Sequence, residues 1–141
     1  MRLWHKDLIP VLPKQQLVAQ WRECCCIARN IAVNGTPNHL LVNKVLEYPL
    51  DHFIYYSGMV EKEMKKRGYK CDWNMFEKYG LHTSDGKIMC SKNMLFDGWH
   101  NDRYLRQCLY NLQEKYDCGG IPILEWLKID NYAFSVKDIY L

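Results

Sequence analysis

The residues of this chain that could carry a reaction gather near its start. Met1 supplies an α-amine, followed by Arg2-Leu3-Trp4, and the run Gln15-Gln16-Leu17-Val18-Ala19-Gln20-Trp21-Arg22-Glu23 ends in an adjacent Arg-Glu pair. An α-amino group titrates at about 7.7–8.0, well below lysine, so a useful fraction is neutral and nucleophilic at physiological pH. A carboxylate beside it can take up and return protons. Taken alone, Arg22 and Glu23 read as a solvated helical pair. Their surroundings decide the matter.

Other groupings point to no chemistry. The chain has 7 cysteines, three of them consecutive at Cys24-Cys25-Cys26, and no C-x-x-C pair. Neither a zinc ribbon nor a thioredoxin-type site is indicated. On a helix the three consecutive thiols point about 100° apart and cannot converge on one metal, so they read as reduced, small apolar side chains of a cytoplasmic protein. His82, His100 and Asp102 suggest a metal site or triad only superficially, because no Ser or Cys sits in a recognised nucleophile context. His39, Asn38 and Asn43 read as hydrogen-bonding groups around a helix start.

These residues need elements to hold them. Pro10 and Pro13 break up the first dozen residues, which read as an extended arm lying on the body. A helix is predicted from about Lys14 to Asn34, with Leu17, Trp21, Cys24 or Cys25, Ala28 and Ile31 in its stripe and Gly35 as its stop. Arg22 and Glu23 then fall at the stripe's margins. Thr36-Pro37-Asn38 opens a short helix ending near Tyr48-Pro49. Another helix runs from Pro49 to Arg67, stopped by Gly68, with Phe53, Tyr56, Val60 and Met64 inward. A short helix near Asp72 to Tyr79 leads into a loop containing Ser84-Asp85-Gly86. A last long helix covers about Asn101 to Tyr116, with Leu105, Leu109 (or Cys108), Leu112 and Tyr116 inward. The tail from Pro122 holds Trp126, Tyr132, Phe134 and Tyr140. With no alternating segment of useful length, the prediction is an all-α single domain over residues 1–141: a compact bundle of three principal helices with an N-terminal arm.

Two segments carry a family resemblance. The spacing Q-x-L-x-A-x-aromatic-R-E in Gln15–Glu23, and the helix end Glu61-Lys62-Glu63-Met64-Lys65-Lys66-Arg67-Gly68-Tyr69, resemble the pyrimidine-dimer DNA glycosylases of the phage endonuclease V type. The resemblance covers about the first half of the chain. It implies that the α-amine of the first residue is the nucleophile, forming an imine at the sugar C1′, and that the Glu is the catalytic acid/base. Here those are Met1 and Glu23. The bulk of Arg2 is expected to prevent removal of Met1, giving the order nucleophile, Arg, aliphatic that the family's mature proteins begin with. Arg2, Arg22, Gln16, Arg29, Lys66 and Arg67 become the expected DNA contacts. Gln16 stands where the family has His, and Cys26 where it has a further Arg, so lesion specificity is the property these departures touch.

Imine chemistry requires no cofactor and no metal. The implied partner is double-stranded DNA containing a damaged base, kinked with a nucleotide extruded, bound by a monomer. The net charge of +3 is modest for such a partner, although Lys62, Lys65, Lys66, Arg67 and Lys70 cluster at one helix end. No membrane span or signal-peptide core is present in the sequence. A non-catalytic nucleic-acid-binding module and a small helical interaction protein are the competing readings.

Overall fold

The structure, a computed structural model, describes residues 1–81 and 87–140. His82 and the stretch Ser84-Asp85-Gly86, expected in a loop, lie outside the described residues, as does the side chain of Tyr140. The described chain is all helical, without strands, at 63% helix. No described helix is long and apolar enough to cross a membrane.

The first helix, α1, spans Lys14–Asn34 and ends at Gly35, whose φ of +75° is the left-handed turn a glycine adopts without a Cβ penalty. Helix α2, Leu50–Lys66, closes with paired bonds from Gly68 N–H to Lys65 O and Tyr69 N–H to Met64 O. A single turn, α3 (Asn74–Glu77), is followed by α4 (Asp102–Asp117), whose start is capped by the Asn101 side chain accepting from Tyr104 N–H. The three principal helices expected from the sequence are thus α1, α2 and α4. The tail forms a fourth substantial helix, α5 (Ile123–Ser135), then the short α6 (Lys137–Tyr140). Tyr116 of α4 stacks on Trp126 of α5 at 4.7 Å between centroids. The helix expected to open at Thr36 is instead a tight turn followed by a 3-10 helix, Asn43–Glu47.

The arm departs most from expectation. It does not lie extended on the body: residues 6–11 form a 3-10 helix, and Leu3, Trp4, Leu8, Ile9 and Leu12 are buried. Each such side chain removed from water contributes about 1.5–3 kcal/mol, which outweighs the local preference of two prolines for extended backbone. Arg67 fastens the helix's end. Its guanidinium donates to Leu12 O at 2.7 Å, Pro10 O at 3.1 Å and Ile9 O at 3.3 Å, and to Glu63 Oε1 at 3.3 Å.

The arm's other side meets a cluster of rings, including Tyr56, Phe96, Trp99, His100 and Tyr104. His100 Nδ1 accepts from Lys6 N–H at 3.0 Å, while Lys6 Nζ donates to Lys92 O and Leu95 O at 2.8 Å each. Phe96 holds a left-handed φ of +50°, a conformation costing about 1–2 kcal/mol for a side-chain-bearing residue, and total burial with an N–H bond to His52 Nδ1 keeps it there.

Burial, with the His5 and Lys6 charges adding to it, pushes His100 down to about 2, and burial lowers His5 as well. The unfolded chain binds a proton at each imidazole below about pH 6.5, whereas in the folded protein His100 refuses it and His5 takes it up only at lower pH. Their contribution to stability is therefore present above that pH and is lost as the pH falls, by up to about 1.4 kcal/mol per unit for each refused proton. Thermal melts should show Tm dropping between about pH 7 and pH 5, less steeply in His100→Asn, which keeps an acceptor for Lys6. A Tm independent of pH across that window would contradict the assignment.

Candidate active site

On α1 the positions Leu17, Trp21, Cys24 and Ala28 enter the core, and Glu23 falls half-buried at their margin. The three cysteines diverge as a 100° step demands: Cys24 is buried, Cys25 intermediate and Cys26 exposed. Among them the unexpected core residue is Gln20, with no exposed surface. Its Oε1 accepts from Trp4 N–H at 2.8 Å and from Tyr56 Oη–H at 3.1 Å, and its Nε2 donates to Arg2 O at 2.9 Å and to Glu23 Oε2 at 3.4 Å. Tyr56 Oη also donates to Trp4 O, and Tyr104 Oη to Leu3 O, at 2.6 Å each. Arg2, Leu3 and Trp4 are held through their backbone by α1, α2 and α4 together.

This clamp brings the start of the chain to Glu23. Arg2 N–H donates to Glu23 Oε2 at 3.2 Å. One peptide unit away, the Met1 nitrogen lies within about 7 Å of that oxygen by backbone dimensions alone. Met1 and Glu23 open onto one cleft of about 590 Å³, bordered also by Arg2, Gln16, Asn111 and Lys115. The Arg2 guanidinium lies 5.1 Å from the centroid of the Trp4 ring. The end of α4 forms one wall, where Gly120 N–H bonds to Lys115 O and a Cβ on Gly120 would come within 3.2 Å of that oxygen. Among the described residues no three potential metal ligands of the His, Cys, Asp or Glu type come together.

The expected DNA contacts divide. Arg2 and Gln16 line this cleft, and Gln16 Oε1 is buried with no hydrogen-bond partner. Arg22 is exposed on a different groove, with Val18, Cys25 and Lys70. Arg29 and Lys66 are exposed and border neither. Arg67, expected on a DNA-facing surface, has its donors turned inward to the arm. His39 and Asn43 brace a turn, Asn43 Oδ1 accepting from His39 N–H, and Asn38 is left-handed at φ +56°. His100 is buried among rings and Asp102 opens α4. Gln20 and Tyr104 were not singled out from the sequence, and Tyr56 was expected only as an inward-facing ring. For Gln20 a signal existed: it is a polar residue one turn from Leu17 and Cys24, within the apolar stripe.

Replacing Gln20 by Leu keeps the volume and leaves Trp4 N–H and Arg2 O without partners. Each orphaned group costs about 1–3 kcal/mol, so urea unfolding should shift to clearly lower midpoint concentration. An unchanged midpoint would show that the clamp adds nothing to stability.

A family model described as pyrimidine dimer DNA glycosylase matches residues 1–76 of the chain. No curated protein and no solved structure matches it.

Proposed function

The chain belongs to the pyrimidine dimer DNA glycosylase family, and from that premise we propose that it removes a dimerised or related damaged base and then cleaves the abasic strand by imine chemistry. The Met1 amine attacks the sugar C1′, and the base departs with the electron pair of the glycosidic bond and gains a proton. Ring opening leaves a protonated imine between Met1 and C1′, the ring oxygen taking up a proton. Loss of a C2′ proton then expels the 3′ phosphate by β-elimination, and water releases the sugar fragment from the amine. Glu23 carries the protons at the ring oxygen and at C2′.

The observation that carries this reading is the Arg2 N–H bond to Glu23 Oε2, which brings the terminal residue to the carboxylate. In a chain without such a purpose a terminus has no reason to be clamped by buried and part-buried hydrogen bonds beside a half-buried acid. Arg2 is suited to a phosphate next to the lesion. Arg22 and Arg29 serve as contacts further along the duplex, and Lys66 as a more distant cation.

The test is incision of duplex DNA carrying a defined pyrimidine dimer, in the presence of chelator. Cleavage of one glycosidic bond of the dimer, its base staying tethered through the partner pyrimidine, followed by strand scission is expected. Binding of duplex without cleavage of dimer or abasic substrate would instead favour a non-catalytic nucleic-acid-binding module.

A further inference from the structure

A second cleft, of about 470 Å³, adjoins the first, and Arg2 and Leu41 border both. It is lined by Lys44, Trp99, Arg103 and Tyr104 among others, several of them beyond residue 76, where the family match ends. Across the two clefts the lining cations are Arg2, Lys44, Arg103 and Lys115, and the lining carboxylate is Glu23. Between them stands a ridge of unexpected composition. Leu40 is 87% exposed and Leu41 53%, although apolar side chains at the tip of a short turn gain nothing from water.

The turn is rigidly founded. His39 O accepts from both Val42 N–H and Asn43 N–H, and Val42 and Val45 are buried beneath it. Two leucines are thus presented on a fixed base, with positive charge on either side.

We propose that the Leu40–Leu41 ridge is a wedge that enters the base stack of duplex DNA beside the lesion, while Lys44 and Arg103 hold the phosphates that flank the opened step. Apolar side chains inserted between base pairs unstack and kink a duplex, and the cost is offset by contacts to the bent backbone. The charge around the ridge selects this occupant: a partner protein's apolar patch would gain nothing from the cations, whereas a nucleic acid offers an apolar stack edged by phosphates. The inference rests on the DNA-glycosylase reading of the neighbouring cleft and adds how the duplex is opened there.

The test uses the full chain and its Leu40→Gln/Leu41→Gln variant on duplexes carrying one abasic site beside 2-aminopurine. Both leucines are exposed, so the variant should melt like the parent. The parent should brighten 2-aminopurine as its neighbour is unstacked. The variant should lose that signal and bind about tenfold more weakly, the scale of one lost stacking contact, with an unchanged salt slope. Lys44→Ala/Arg103→Ala should do the converse to the slope, lowering it by about two phosphate contacts. Equal brightening by parent and leucine variant, or loss of self-association in the leucine variant without DNA present, would overturn the wedge. Failure of the parent to bind or be trapped on abasic duplex would instead strike the glycosylase reading itself.

Discussion

Acetylating Met1, or leaving an extension on its amine, is expected to abolish borohydride trapping of the protein on abasic-site DNA. Reduction captures only an imine, and an amide nitrogen, its lone pair delocalised into the carbonyl, does not form one. The loss should be complete rather than graded, because the terminal residue has one position in the cleft. The control is Lys115, which borders the same cleft and is the nearest alternative amine on its wall. Lys115→Met should leave trapping intact. Trapping that survives a blocked terminus and disappears with Lys115→Met would transfer the nucleophile to that lysine and overturn the assignment of Met1.

Glu23→Gln is expected to lower base removal by about 10²–10⁴-fold, the usual contribution of a positioned acid/base, while affinity for duplex DNA stays nearly unchanged. The substitution suits this site because a glutamine can still offer its oxygen to Arg2 N–H and leave the clamp standing. What is lost is the proton acceptor. Measured at saturating protein, the defect should appear in the single-turnover rate and not in binding. Parent-like cleavage by Glu23→Gln on dimer-containing DNA would remove Glu23 from the mechanism.

The helices were legible wherever sequence carried both a stripe and a stop. Helix α1 has the predicted bounds because Pro13 precedes it and Gly35 follows, and Gly68 ends α2 for the same reason. Helix α5 was missed because its apolar residues surround it: Leu124 and Phe134 are exposed while Ile129 and Ala133 are buried, so no one-sided stripe stands out. The arm was misjudged because its prolines act locally, whereas its burial depends on partners such as Tyr104 and His100 far along the chain. The candidate site divides similarly. Glu23 and Met1 were candidates from motif spacing, whereas the Gln20 clamp and the places of Lys115 and Arg103 along the clefts became visible only once distant elements were brought together.

The clamp on the arm also dictates the order in which the site can be made. Leu3 O waits for the hydroxyl of Tyr104, 101 residues later, and Lys6 N–H for His100, 94 residues later. Closing such long loops costs entropy before any contact repays it, so these are late events in folding even though every regular element is a locally formed helix. During synthesis the arm emerges ahead of the partners that hold it, and the matched segment alone contains neither Tyr104 nor His100. Helices α1 and α2 can pair early and bring Gln20 and Tyr56 to the arm; the bonds from Tyr104 and His100 are added only when the second half of the chain arrives. The arm that carries the proposed nucleophile is thereby fully braced only once the rest of the protein has been made.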